Sequence, residues 1–507
     1  MSQITESMKQ ALSHHQAGRL DQALALYQAV LDRVPGHADA LHLVGLVSHQ
    51  QGRHSEAVRR IGEAIATNSD VAAYHNNLGA AQRAAGQIDL AIASFRRATE
   101  LKPDFSSAWS NLVQVHAASS DDDSVSEALD QWVRNTKGAT GALQHRAAHR
   151  YANKDVRGAM ADQGRIADNQ PEDHRPCLQV AILAHELGED AVAIDAFSKA
   201  QTRHYRSAKL GNGTVRSKLD HDVEQIEWLV SRGMVPEDWT DIADAYRQVR
   251  TQLFDSSSVG LVGRTFSPEM RASIGRWYNR PIHTVDCRAI AGGALASSWD
   301  AELVEGRYRS SDPGITWIDG LLRPEAKVQL RDFCLGSTIW SDFKYSGGYV
   351  GTSLANGFAN GLLLQIAREL RERLPGLLGR HPLRQMWAYK CDQRLTGIGV
   401  HADAAAVNVN FWITPDEANL DPTSGGIRVW RKCAPMEWDF EAFNRRPEEL
   451  LAWVRDMNAE EVAIPHRSNR ALIFDSNLVH RTDDLEFAPG YENRRINITM
   501  LFGERGG

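Results

Sequence analysis

Two kinds of apolar spacing divide the chain. Over about residues 4–204, small and bulky residues return at a step of 34. Gly18, Gly52 and Gly86 recur in the segments AGRLDQA, QGRHSEA and AGQIDLA, and Ala23, Ala57 and Ala91 keep the same step, as do Tyr27, Ile61 and Phe95. Val44-Gly45 matches Leu78-Gly79 one step on. The phase survives a degenerate stretch, with Val125 at the small position beside an acidic DDD run. Beyond it Ala159 and Ala193 rejoin the Ala23 series, Gly188 the Gly18 series and Phe197 the Tyr27 series. Each unit reads as helix–turn–helix. Glycine ends the first helix in a left-handed conformation, and the following Asp or Ser is expected to cap the second. Small residues let the helices approach, and bulky ones fill the space between units. A single unit cannot bury its apolar face, so five to six units are expected to stack.

Beyond this array the phase is lost. Residues 205–310 mix polar, small-residue stretches (LGNGTV, FDSSSVG, AGGALASS) with helical runs at 223–230 and 239–253. Trp277, Tyr278 and Trp299 indicate that this connector packs against something. A strand-like run begins at Ile315, and Pro324 suits the first turn of a helix reaching about Cys334. A second helix is expected over 360–374, then short strands at 385–391, 407–413, 426–430, 471–474 and 495–502. Many short strands with few long helices between them suggest a jelly roll. The expected fold class is multidomain α + β. It comprises an N-terminal α-solenoid over 1–204, a helical and loop connector over 205–310, and a C-terminal double-stranded β-helix (jelly roll) over 311–507.

With Pro35 and Pro103 near unit ends, the N-terminal pattern resembles the tetratricopeptide repeat family. The resemblance implies a concave groove for a protein or peptide; a plain helical spacer or dimerisation arm is the alternative. Composition narrows the partners. The net charge of −7 argues against general nucleic-acid binding, which needs a basic footprint. Five scattered cysteines without a C-x-x-C fit a reducing compartment rather than a disulfide framework or a cysteine zinc site. The start MSQITESMKQ does not look like a signal peptide, and no stretch approaches the roughly 20 apolar residues that span a bilayer. The expected location is the cytoplasm, with no membrane partner.

The chemistry concentrates near the C-terminus. His401-Ala402-Asp403 leads into the strand-like AVNVNFWIT, and residues i and i+2 of an extended backbone point to one side. With 19 histidines the pattern is cheap, and His37-Ala38-Asp39 repeats its three letters at a helix start inside the array. Context separates the two: His401 follows the glycine-containing Thr396-Gly397-Ile398-Gly399-Val400, and a distant His480 follows a second apolar strand, 471–474, and a turn. Two imidazoles and one carboxylate cap one face of Fe(II) and leave the other open. In the alternating 495–500 run, Arg495, Asn497 and Thr499 share one side and Ile496, Ile498 and Met500 the other. If the polar side faces inward, the Arg495 fork can bind a carboxylate through two parallel bonds; a surface salt bridge is the alternative.

Residues from about 312 onward resemble the Fe(II)/2-oxoglutarate-dependent dioxygenases, with His401, Asp403 and His480 matching the metal triad and Arg495 the co-substrate arginine. PGITWIDGLLRPEAKVQLRDF is similar to the opening of the prolyl-hydroxylase-type members. The resemblance implies Fe(II), 2-oxoglutarate and dioxygen, with Tyr389, Thr499 and Asn497 beside Arg495 at the co-substrate. Oxidative decarboxylation to succinate and carbon dioxide would drive hydroxylation of an unactivated C–H bond, and the Asp403 carboxylate disfavours the related halogenases. The expected activity is hydroxylation of a protein or peptide side chain recruited by the repeats. The alternatives are a small-molecule or carrier-bound substrate with repeats used for assembly, or a non-catalytic scaffold. Among other residues, Gly425-Gly426 read as a turn, and Asn408 and Asn410 as either pocket lining or a hydrogen-bonded layer. Trp438 and Phe440 read as packing under a loop, with substrate contact as the alternative, and Arg481 as either a partner of Asp483 or Asp484 or an exposed residue. Arg431 and Lys432 read as solvated, and His466 and Arg467 are assigned no role.

Overall fold

The computed structural model describes residues 2–207, 213–254, 263–343, 348–391 and 397–506. Its contacts divide the chain into two units, Met1–Asn169 and Gln170–Gly507.

The first unit runs from helix Ser2–Gln16 to helix Val156–Asn169, with consecutive helices packed as pairs. Gly18, Gly52 and Gly86 close the turns at φ of 71°, 77° and 78°, the left-handed region that a side chain would strain. The small positions have a steric cause: a Cβ on Gly45 would lie 2.5 Å from Ile61 Cγ1, and one on Gly79 2.7 Å from Phe95 Cε1. Ala23, Ala57, Ala91, Tyr27, Ile61 and Phe95 are all fully buried. The expected Asp or Ser caps do not form. Arg19, Arg53 and Gln87 hold the N-cap positions without a side-chain bond, while Asp21, Glu56 and Asp89 sit inside the first turn, where a negative charge favours the helix dipole. In the degenerate unit Asp121 does cap its helix, accepting from the Ser124 amide. The decoy motif is structural: His37 caps a helix through the Ala40 amide and Asp39 accepts from the Tyr74 hydroxyl.

The second unit opens with one more helix pair, Arg175–Glu186 and Asp190–Ser207, in which Ala193 and Phe197 are buried as the repeat phase requires. The 223–230 and 239–253 runs form helices Arg216–Ser231 and Thr240–Leu253, which share an apolar cluster with Tyr278 and Trp277. Parts of the LGNGTV and FDSSSVG stretches lie outside the described residues.

Eleven strands are described. Short β1 (Gly213–Thr214) and β2 (Arg264–Thr265) pair with each other. The others are β3 (Ile315–Asp319), β4 (Tyr349–Ser353), β5 (Leu383–Cys391), β6 (Val407–Trp412), β7 (Ile427–Cys433), β8 (Glu461–Ile464), β9 (Arg470–Asp475), β10 (Leu478–Thr482) and β11 (Arg495–Phe502). They form a six-stranded sheet, β3-β9-β6-β11-β5-β4, and a three-stranded sheet, β10-β7-β8, with every pairing antiparallel. Apolar residues of both sheets meet in one cluster that includes Trp412, Val429, Ile464, Leu472 and Phe474. Ile496, Ile498 and Met500, on the other face of β11, are also fully buried, so the larger sheet is covered on both sides. The region is thus sheet-rich. β4, β8 and β10, with helices Phe440–Asn444 and Pro447–Asp456, add to the elements expected from sequence.

Candidate metal centre

His401, Asp403 and His480 converge: each offers one ligand atom, and these atoms lie within 4.8 Å of one another. The backbone brings them together by a route other than a single extended strand. His401 forms an isolated antiparallel bridge with His480 on β10, through reciprocal amide bonds of 2.9 and 2.8 Å. The chain then turns before β6, and the Asp403 amide donates to Ser476 O at 2.9 Å. Gly397–Gly399 approach this bridge, and Thr396 lies outside the described residues.

The imidazole centroids are 4.2 Å apart. His401 Nδ1 lies 2.8 Å from Gly399 O and His480 Nδ1 2.9 Å from Leu478 O. A carbonyl only accepts, so both Nδ1 atoms carry the proton and both Nε2 lone pairs are left for a cation. Asp403 Oδ1 is 3.9 Å from His401 Nε2, and Oδ2 is 3.5 Å from His480 Nε2. Burial raises the Asp403 carboxyl above its ordinary range. Burial, with His401 beside it, pushes His480 well below the usual imidazole value. Two imidazole Nε2 atoms and a carboxylate make a donor set for a first-row divalent ion with one face open. His401 is the partly exposed member of the three.

Asn408 and Asn410 form a hydrogen-bonded layer, one of the two readings open from sequence. Asn408 Nδ2 donates to Asp403 Oδ2 at 2.7 Å, and Asn410 Nδ2 donates to Asn408 Oδ1. Asn497 Nδ2 and Thr499 Oγ1 donate to Asn410 Oδ1 at 2.9 and 2.7 Å. Two residues from Asn497, Arg495 is buried rather than in a surface salt bridge, with Nε donating to Gly425 O (2.6 Å) and Nη2 to Gly426 O (2.9 Å). Nη1 faces Cys391 Sγ at 3.9 Å. Among the described residues no carboxylate pairs with it; Asp483 is held by Arg428 Nε at 2.5 Å and acts only at longer range. Burial lowers the Arg495 pKa. Gly425 has φ of +81°, and a Cβ on Gly426 would lie 1.8 Å from Ile464 O, so this turn requires both glycines. Arg494 points away and pairs with Glu224 at 2.8 Å.

Polar atoms without a hydrogen bond among the described residues lie near Arg495. Trp412, whose ring lies 5.6 Å from the guanidinium, has an unbonded Nε1, and its cross-strand neighbour Asn497 has an unbonded Oδ1. His466, 5.9 Å from Trp412 and edge-on to Phe487, is buried with no hydrogen bond to either ring nitrogen among the described residues, and Asp416 Oδ1 lies 3.8 Å from Nδ1. Burial, with Arg495 and Arg470 nearby, holds its pKa down to about 3. A buried cation beside the unbonded indole N–H of Trp412 suits an anionic ligand, while Asn497 Oδ1 can only accept. The sequence carries no sign of His466, which lies in the loop between β8 and β9.

Tyr389 pairs across the sheet with Asn497, and its ring packs on Tyr349 at 4.6 Å over the bare Cα of Gly351. Arg481 donates to Thr482 O at 2.9 Å and reaches Asp484 at 3.4 Å. Trp438 packs on Trp453 at 5.2 Å, and Phe440, though 47% exposed, meets Phe443 edge-on at 5.5 Å. Arg431 bonds Ser311 Oγ at 2.8 Å and Glu460 at 3.2 Å, so it is not simply solvated.

The Tetratricopeptide repeat family profile matches residues 8–73, 50–104 and 76–140. No curated protein matches the chain. Among solved structures it is similar to PilF of Pseudomonas aeruginosa, at 20% identity over 40% of this chain and 93% of that one, with a TM-score of 0.31. It is also similar to a mutant O-GlcNAc transferase of Thermobaculum terrenum (29% identity, 26% of each chain, TM-score 0.25). A third is the first TPR of Spaghetti (RPAP3) bound to an HSP90 peptide (19% identity, 23% of this chain and 93% of that one, TM-score 0.23). The chain therefore carries an N-terminal tetratricopeptide repeat array followed by a sheet-rich C-terminal region.

Proposed function

We propose that the sheet-rich region is a double-stranded β-helix oxygenase that uses Fe(II) and 2-oxoglutarate to hydroxylate a protein or peptide side chain recruited by the repeats. The observation that carries this reading is the convergence of two Nε2 atoms and one carboxylate, joined by a hydrogen-bonded layer to the strand that bears a buried arginine with no carboxylate paired to it among the described residues. The two antiparallel sheets with a shared core agree with the fold. The repeat array agrees with a protein or peptide partner, because stacked helix pairs curve into an extended concave surface. Among the described residues no helix is long and apolar enough to cross a membrane.

His401, His480 and Asp403 would hold the iron, and Arg495 the far carboxylate of 2-oxoglutarate. Bound there, iron and co-substrate supply dioxygen activation coupled to decarboxylation to succinate. The chain's own residues set the geometry. The glycine carbonyls occupy Arg495 Nε and one Nη2 hydrogen, which leaves the end of the fork, Nη1–H and the second Nη2–H, for a carboxylate. Tyr389, Asn497 and Thr499 are the remaining candidates for co-substrate contact. Trp412, Phe474 and Leu472 keep water from the inner face.

The test is succinate formation by the whole protein. It should require Fe(II) and 2-oxoglutarate and vanish in His401→Ala, with peptides from a cell extract gaining one oxygen by mass spectrometry. Succinate formed with a metabolite pool but with no peptide pool would reject the protein substrate. No succinate under any condition would leave a repeat scaffold as the function.

A further inference from the structure

The layer that ends on Asp403 has a single possible direction. An ionised carboxylate only accepts hydrogen bonds. Asn408 must therefore turn its NH2 to Asp403 Oδ2, at 2.7 Å, and its carbonyl to Asn410. Asn410 must then give its NH2 to Asn408 and turn its own carbonyl toward β11. There the Thr499 hydroxyl (2.7 Å) and the Asn497 NH2 (2.9 Å) supply the donors. Asn408 is fully buried, and Asn410, Asn497 and Thr499 nearly so, so no solvent competes. Apolar side chains would fill the same face of β6 at lower desolvation cost. What the amides supply, and apolar residues could not, is an oriented row of dipoles whose positive end meets one oxygen of Asp403.

We infer that Asn408 is a positioning residue for the metal, and that Asn410 and Thr499 hold it in that role. By engaging Oδ2, which lies 3.5 Å from His480 Nε2, Asn408 fixes the rotation of the carboxylate and so keeps Oδ1 turned to His401 Nε2 at 3.9 Å. The inference rests on the metal centre proposed above, but concerns residues that would touch neither metal nor reacting atoms.

Mn(II) binding by the full chain, without co-substrate, tests it by electron paramagnetic resonance. Asn408→Ala should weaken Mn(II) by about tenfold or more, the usual cost of losing a partner that orients a ligand. The bound signal should also change its zero-field splitting as the carboxylate swings, which a merely structural role would not cause. Thr499→Val, nearly equal in shape and three residues along the hydrogen-bonded row from Asp403, should give a smaller loss in the same direction. It decides the matter if Asn408→Ala does not fold. Unchanged affinity and signal in the folded variants would overturn the role of Asn408. Failure of the unsubstituted chain to bind Mn(II) would instead overturn the metal centre, and this role with it.

Discussion

Replacing Arg495 by Met separates co-substrate binding from folding. The substitution keeps an unbranched side chain but removes the charge. It deletes two charge-assisted bonds, to Gly425 O at 2.6 Å and Gly426 O at 2.9 Å. Such bonds contribute about 1.5–3 kcal/mol each. Against this stands the desolvation of a buried cation that pairs with no carboxylate among the described residues, an effective cost of several kcal/mol. The two nearly offset, so the stability of the ligand-free protein should change by less than about 2 kcal/mol. Binding has no such compensation. Loss of a buried two-pronged carboxylate contact costs about 3–5 kcal/mol, or roughly two to four orders of magnitude in affinity. Calorimetric titration of 2-oxoglutarate into the Mn(II)-loaded protein measures the affinity. Thermal melts supply the second reading: at a hundred times its dissociation constant, the ligand should stabilise the unsubstituted chain by about 2.7 kcal/mol and the variant not at all. Arg495→Lys, which keeps a charge but lacks the fork, should recover little. If the Met variant folds and binds 2-oxoglutarate within about threefold of the original, Arg495 is not the carboxylate anchor.

Three further outcomes are expected. His480→Ala should abolish Mn(II) binding in the full chain while circular dichroism stays unchanged; retained binding would exclude the triad as the site. Gly79→Ala forces a Cβ to within 2.7 Å of the Phe95 ring and should destabilise the repeat array by about 1–3 kcal/mol in urea, read from its helical signal. His466 and His185, in the second unit, have pKa values held down by burial to about 3 and about 4. The unfolded chain protonates them first, below pH 6.5, so the stability they permit is complete above that pH. It is lost as pH falls toward 4, by up to about 1.4 kcal/mol per pH unit for each group. Urea midpoints of His466→Leu and the unsubstituted chain, compared at pH 7.5 and 5, should show a shallower loss for the variant.

The features legible in the sequence are those with a periodic cause. The 34-residue step is visible because Gly79 must clear Phe95 and Gly45 must clear Ile61, so size recurs where helices touch. The alternation of β11 is visible although both its faces are buried, because one face is lined by amides and a hydroxyl and the other by aliphatic residues. Strand β8 has four residues, pairs among the described residues with β7 alone and is mostly unburied, so its pattern carries no signal. The helix caps are misread because Asp21 and Asp89 favour the first turn through the dipole rather than the N-cap through a bond. At the site, residue types point to a metal set, but not to the path by which an isolated bridge and a turn gather it. Nothing local marks His466, whose surroundings come from Trp412 and Phe487, far away in sequence.

The paired glycine carbonyls on Arg495 have a thermodynamic corollary. An arginine side chain holds about 2 kcal/mol of rotamer entropy, and here that freedom is already lost when the protein folds, because Nε and Nη2 are tied to Gly425 and Gly426. A ligand arriving at the fork meets a fixed end-stop, and at its other end a triad fixed by backbone bonds. On the proposed function these two immobile points act as a ruler. Keto diacids one methylene shorter or longer would be rejected by length, without any contact to their middle.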